Sequence, residues 1–191
     1  CFGRGPSGWV VRHAMDAGPE PMALDIGCGL GRNAVYLARR GFRVDALDVA
    51  PEAIRRLRQA AAAEDLPVTA RLEDARNWRP DGRVYDVVLA VTVLSLLGEE
   101  DLRALCRRIE RALVPGGLLL VEDFASDDPG RLAAAQASEF APLVRHYFAP
   151  AELGGLFPGL QVVARDRIRV RDRTHGTPHR HSLVRFAARR A

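Results

Sequence analysis

Leu24-Asp25-Ile26-Gly27-Cys28-Gly29-Leu30-Gly31-Arg32-Asn33 is the stretch whose reading decides the fold. A short apolar run, Met22 to Ile26, leads into alternating glycines. A helical pattern carrying Val35, Leu37 and Ala38 follows from Arg32 to Arg40. Strand, glycine turn and helix form the context in which such a loop acquires meaning. Glycines at 27, 29 and 31 let the main chain approach a ligand without side-chain interference. The free N–H groups at the start of the helix favour an anionic group. A dinucleotide loop would place its third glycine at position 32, which is Arg, so NAD and FAD are not expected.

Outward from this loop, apolar runs and helical stripes alternate. Gly41 suits the left-handed position after a helix end, and Phe42 to Asp48 reads as a second strand. Pro51 opens a helix that runs to Ala63. Val68 to Leu72 and Val84 to Val91 read as strands three and four, joined by a polar stretch with an Asp81-Gly82 turn and little helix. Leu102, Leu105, Cys106, Ile109 and Leu113 mark a helix lying on the sheet, stopped by Pro115-Gly116-Gly117 before strand five, Leu118 to Phe124. The pattern breaks over 125–149, as expected of a lid-like insertion. Pro150 to Phe157 resumes as a short helix, and Leu160 to Arg171 with His181 to Ala188 predict a hairpin turning at Gly176 to Pro178. The expected fold is α/β: a doubly wound, seven-stranded, mostly parallel sheet with an antiparallel C-terminal hairpin and helices on both faces. Residues 1–191 then make one domain, with 1–20 as an N-terminal cap segment.

A chain of 191 residues, 48% hydrophobic and 27% charged, has the material of one globular core rather than of a disordered or fibrous protein. No apolar run reaches bilayer length and no signal-peptide pattern opens the chain, so a cytoplasmic location and no membrane partner are expected. The opening Cys1, without an initiator Met, predicts that further residues precede it. Cys1, Cys28 and Cys106 are too scattered for a disulfide framework or a zinc site. The net charge of +4 raises a nucleic-acid partner. All 28 basic residues are Arg, however, many have acidic neighbours (Arg71, Glu73, Asp74, Arg76), and no RNA-binding module is present, so none is expected.

With the loop placed between strand and helix, Asp25-x-Gly27-x-Gly29-x-Gly31 resembles motif I of the class I, seven-stranded, Rossmann-like S-adenosylmethionine-dependent methyltransferases. The resemblance implies S-adenosyl-L-methionine as cofactor. It places Asp25, Gly27, Cys28, Gly29, Gly31 and Asn33 around the methionine half, and Asp48 and Val49 at the ribose. Asp74 and Ala75 fall at the adenine, and Ala90 and Val91 beside the transferred methyl. A carboxylate at position 48 suits a vicinal diol, from which it can accept two hydrogen bonds. More narrowly, Gly31-Arg32-Asn33-Ala34-Val35-Tyr36-Leu37-Ala38 and His181-Ser182-Leu183-Val184-Arg185-Phe186-Ala187 resemble the tellurite-resistance methyltransferases. In that subgroup a His/Arg-rich segment before the last strand is linked to activity. Here Arg173, His175, His179, Arg180 and His181 occupy it.

Methyl transfer from a sulfonium is an in-line displacement, so the acceptor lone pair must sit roughly 3 Å from the methyl and opposite the sulfur. A base is needed only when the acceptor arrives protonated. The candidate catalytic residues are His146, His179, His181 and Arg180. His146 and Tyr147 are lid candidates, Tyr147 having an equal claim as a loop anchor, and His13 reads as a helix-face residue spaced from Trp9. No metal is expected, because His175, His179 and His181 have no Cys and no carboxylate at ligand spacing. The expected partner is a small-molecule acceptor, either a metalloid oxyanion or a specialised metabolite. The alternatives are an RNA methyltransferase, although Thr92-Val93-Leu94-Ser95 stands where an Asn-Pro-Pro-Tyr type tetrapeptide would be, and a non-catalytic S-adenosylmethionine-binding subunit.

Overall fold

The computed structural model describes residues 5–13, 19–133, 144, 146–172 and 178–191. Arg173, His175, parts of the predicted cap (1–4, 14–18) and of the predicted lid (134–143, 145) lie outside the described residues. The described elements run α1 (Gly8–His13), β1 (Met22–Ile26), α2 (Arg32–Arg39), β2 (Arg43–Asp48), α3 (Pro51–Ala63), β3 (Val68–Leu72), β4 (Tyr85–Val91) and a single 3₁₀ turn (Leu94–Leu96). They continue as α4 (Glu99–Ala112), β5 (Leu113–Phe124), α5 (Pro129–Ala133), α6 (Glu152–Leu156), β6 (Leu160–Asp172) and β7 (His179–Arg190). The strands form one seven-stranded sheet in the order β3-β2-β1-β4-β5-β7-β6. β1 to β5 pair in parallel, and β7 returns antiparallel between β5 and β6.

Burial on both faces explains the near-continuous apolar strands. Along β4, Val87, Leu89 and Val91 join a core with Trp9 and Val10 of α1, Ala34, Leu37 and Ala38 of α2, and Ile54 and Leu57 of α3. Val88 and Ala90 point the other way, into a core with Leu102, Leu105, Cys106 and Ile109 of α4 and Leu153 of α6. The period of two in β4 therefore sorts one strand between two helical layers, as the doubly wound expectation requires.

Several boundaries move. α2 stops at Arg39, one residue earlier than predicted, with Gly41 at φ 89° just beyond it. β5 starts at Leu113, which already pairs with Tyr85. Gly116, at φ 77°, takes up the excess chain before Leu118 pairs with Val87. The turn at 115–117 thus interrupts a strand rather than separating it from a helix. The hairpin is longer than its hydrophobic content indicated, because Asp172 pairs with His179 and Val170 with His181 inside the ladder. β6 is a sheet edge whose exposed face carries Arg165, Arg167, Arg169 and Arg171.

Candidate functional site

In a doubly wound sheet, ligands sit beyond the carboxyl ends of the parallel strands. The loop after β1 is set by contacts that tolerate no side chain at two of its glycines. A Cβ on Gly27 would lie 2.7 Å from Val93 Cγ2, and one on Gly31, at φ 79°, would collide with Leu57. Gly29, at φ 52°, differs: a Cβ there would meet nothing within 4 Å. Its side of the loop faces open space, the cradle that a ligand can fill.

Asp48 at the end of β2 locks this loop. Its Oδ2 accepts the Gly29 N–H at 2.8 Å and its Oδ1 accepts the Ala50 N–H at 2.9 Å, leaving further lone pairs for a diol. The N–H groups of Gly27 and Cys28 both donate to the Leu47 carbonyl. Asp25 is 1% exposed, and neither of its oxygens meets a hydrogen-bond donor among the described residues. The Ala34 N–H faces it without reaching hydrogen-bond geometry. Burial, opposed in part by the Arg32 guanidinium, pushes its carboxyl up to about 7. A buried acid without a donor is costly unless a ligand supplies one. A cofactor ammonium would do so.

The other predicted contacts fall along the same edge. Val49 is exposed, and with Leu30, Leu72 and Leu96 it gives the loops and strand ends of this edge an apolar rim. Asp74 is clasped by Arg76, whose guanidinium and N–H hold its carboxyl below the usual range. Ala75, Ala90 and Val91 are buried, which limits Ala90 and Val91 to shaping the floor. The Cys28 thiol is buried and pushed upward by desolvation, so it acts as packing rather than as a nucleophile. The Asn33 carboxamide oxygen accepts the Ser7 N–H at 2.9 Å. Ser7 Oγ donates in turn to Glu122, which pairs with Arg185 at 2.6 Å. Asn33 therefore fastens the N-terminal segment over the loop.

Next along the edge, Thr92 follows β4 at φ 55°, an unusual conformation for a branched residue. Asp123, fully buried, accepts the Ser95 N–H, and burial raises its carboxyl to about 6. His146 is tied here by its N–H to the Ser95 carbonyl at 3.0 Å, while its Nε2 lies 2.5 Å from Glu152 Oε1. The structure brings His179 and His181 together, with their Nε2 atoms 2.9 Å apart. Arg180 alternates to the opposite face of β7 and is exposed, so it does not join them. His13 packs edge-on against Trp9, as its spacing predicted.

Three acidic residues escaped the reading of the sequence. Glu152 lies six positions from His146. Asp128 holds His181 Nδ1 at 3.1 Å. Asp172 reaches His179 across the hairpin and supplies the carboxylate that linear spacing did not show. The signal for Asp172 was available in principle, because residues directly opposite in a hairpin share a face. It required the ladder to extend past its apolar part.

Residues 23–117, about half of the chain, match the methyltransferase-domain family. The chain belongs to the class I S-adenosylmethionine-dependent methyltransferases. The chain is 37% identical over 111 residues to a ubiquinone biosynthesis O-methyltransferase of a Methylobacterium species, covering 56% of this chain and 44% of that protein. It is 30% identical over 108 residues to the probable S-adenosyl-L-methionine-dependent methyltransferase TehB of Haemophilus influenzae, covering 55% of this chain and 37% of that one. The crystal structure of TehB from Haemophilus influenzae superposes with a TM-score of 0.74 at 19% identity, covering 96% of this chain and 66% of that one. The chain thus resembles TehB in part of its sequence and in fold, and it spans less than half the length of the curated relatives it matches.

Proposed function

We propose that the chain transfers a methyl group from S-adenosylmethionine to a small-molecule acceptor, a metalloid oxyanion or a specialised metabolite. The observation that carries the reading is the pairing of Gly29, open on its Cβ side, with Asp25, a buried carboxyl without a donor. Asp25 would accept from the cofactor's ammonium, Gly27 to Gly31 would line its methionine half, and Asp48 would take the ribose hydroxyls. Val49, Asp74 and Ala75 would border the adenine. The bound cofactor supplies an electrophilic methyl on a sulfonium. The chain's own work is to orient the acceptor beyond Thr92 and Ser95, to exclude water with the N-terminal segment that Asn33 fastens over the loop, and to remove a proton when the acceptor carries one.

His146 fits the last task. A carboxylate at Nε2 fixes the tautomer that donates there and leaves Nδ1 as the basic atom. An oxyanion acceptor needs no base, whereas a neutral hydroxyl does, so His146 separates the two acceptor classes. Calorimetry with S-adenosylmethionine and S-adenosylhomocysteine, followed by transfer of labelled methyl to oxyanion and hydroxyl acceptors, tests the proposal. Micromolar binding with labelled product supports it. A folded protein that binds neither compound overturns it, and binding without any product over the whole panel favours a non-catalytic binding subunit.

A further inference from the structure

Asp172 at the end of β6 and His179 at the start of β7 are direct cross-strand partners, and His181 lies two residues further along the same face. One ligand atom from each lies within 4.8 Å of the others, a spread that side-chain rotation closes. Asp172 is 3% exposed, and both imidazoles are partly buried. We infer that Asp172, His179 and His181 form a binding site for a divalent first-row transition-metal ion, with two imidazoles and one carboxylate on one face and the remaining positions open.

The hydrogen bonding around His181 argues for this independently of the count of ligands. Asp128 is buried and already accepts the Ser182 N–H at 2.7 Å through Oδ2 and the Gly130 N–H at 2.7 Å through Oδ1. A carboxylate receiving donors on both oxygens can only accept from His181 Nδ1, 3.1 Å away. The proton of a neutral His181 therefore sits on Nδ1, and Nε2 presents its lone pair towards His179. A carboxylate behind a histidine in this way is the usual outer support of a metal-bound imidazole. Two nitrogens each about 2.0–2.1 Å from an ion stand about 2.9 Å apart at a right angle and about 3.4 Å apart at the tetrahedral angle. The two Nε2 atoms are 2.9 Å apart, joined by a hydrogen bond whose His179 proton an entering ion would displace. Two histidines and a carboxylate arranged with open positions suit a five- or six-coordinate ion better than a closed structural zinc site.

Charge points the same way. Asp172 and Asp128 set two carboxyl groups beside the two imidazoles, a donor set that suits a dication, while Arg32 lies within electrostatic reach of Asp172 and opposes it. β7 runs antiparallel to β5, and Leu183 pairs with Phe124, so His181 and His179 lie beyond the carboxyl end of β5. The His181 ring sits 5.1 Å from that of Phe124, at the edge assigned to the acceptor. An ion there would hold an anionic or ionisable oxygen ligand in its open positions and favour the deprotonated form.

The experiment uses untagged, chelator-stripped protein without cofactor or acceptor, so it does not depend on the methyl-transfer reading. Titration with Co²⁺, followed by its visible absorption and by calorimetry, should give about one equivalent bound, with competition by Zn²⁺. His179→Ala, His181→Ala and the isosteric Asp172→Asn should each abolish the visible band, and Asp128→Asn should weaken binding about 10–100-fold. His146→Gln should bind as the wild type does. Circular dichroism identifies any variant that fails to fold, and Asp172→Asn keeps the test decisive if a histidine variant does. A folded wild type that takes up neither ion, or uptake unchanged in Asp172→Asn and His181→Ala, overturns the inference.

Discussion

At the β1 end of the site the binding surface is main chain. Gly27 to Gly31, the N–H groups around them and the carboxylate of Asp48 shape a loop ten residues of sequence can encode. At the β6–β7 end the surface is side chain. Asp172, His179 and His181 meet because two long strands hold register, and Asp128 arrives from the turn that follows β5. The comparison teaches that a fold can fix one half of a site through local backbone geometry and leave the other half to long-range pairing. The first half lies within residues 23–117, which match the methyltransferase-domain family, whereas Asp128, Asp172, His179 and His181 lie outside them.

The comparison breaks most visibly where the backbone half cannot yield. Gly31→Val combines a positive φ with a collision against Leu57, and should cost about 2–5 kcal/mol in urea unfolding. A loss within error of zero would show that the loop is not fixed by packing. His146→Gln should lower the turnover of a hydroxyl acceptor by about 10²–10⁴-fold while leaving cofactor affinity alone. Equal loss with a pre-ionised acceptor would mean that His146 only anchors its segment. Asp48→Ala removes the lock on Gly29 and the diol acceptor together, and cofactor dissociation constants should rise about 10–100-fold by calorimetry. Gly29→Ala meets open space and should cost only about 1–2 kcal/mol of stability, yet weaken cofactor binding, a split that Gly31→Val cannot show.

A subtler effect follows from Asp25. Its carboxyl is raised from 3.8 to about 7 in the folded protein, so between those pH values the folded state holds a proton that the unfolded state has lost. Wild-type stability should therefore fall as pH rises through this window and level off above it. Asp25→Asn lacks that slope, so its melting temperature should gain on the wild type from pH 4 to about 7 and run parallel thereafter. Parallel curves throughout would show that Asp25 is already satisfied without ligand. If the cofactor ammonium pairs with ionised Asp25, affinity in the wild type should weaken as pH drops below about 7.

Much of this was legible from the residues. The apolar run from Val84 to Val91, the glycine spacing at 27, 29 and 31, and the stripe from Leu102 to Ile109 are local signals, and each gave the right kind of element. The start of β5 was hidden because Gly116 folds an excess loop into a strand, and a Pro-Gly-Gly sequence reads as an end. Asp172 was hidden because β6 is an Arg-rich edge whose apolar signal fades before its hydrogen bonds do. Asp128 and Glu152 were hidden because each reaches its histidine through tertiary approach, and a carboxylate in a polar stretch has no periodicity to mark it.

β6 also leaves a mark on how the molecule behaves among its own copies. Among the described residues it is a thirteen-residue edge strand with no strand paired on its outer side, the kind of template on which another strand adds and aggregation begins. Arg165, Arg167, Arg169 and Arg171 set a guanidinium at every second position of its exposed face, and the shift between Val162 and Ala164 bends its first turn of ladder. Asp127 answers Arg167 and Arg169 from within the same chain, so these charges are steadied without being offered to a neighbour. An arginine at every second position is thus the kind of charge pattern that disfavours strand addition along such an edge.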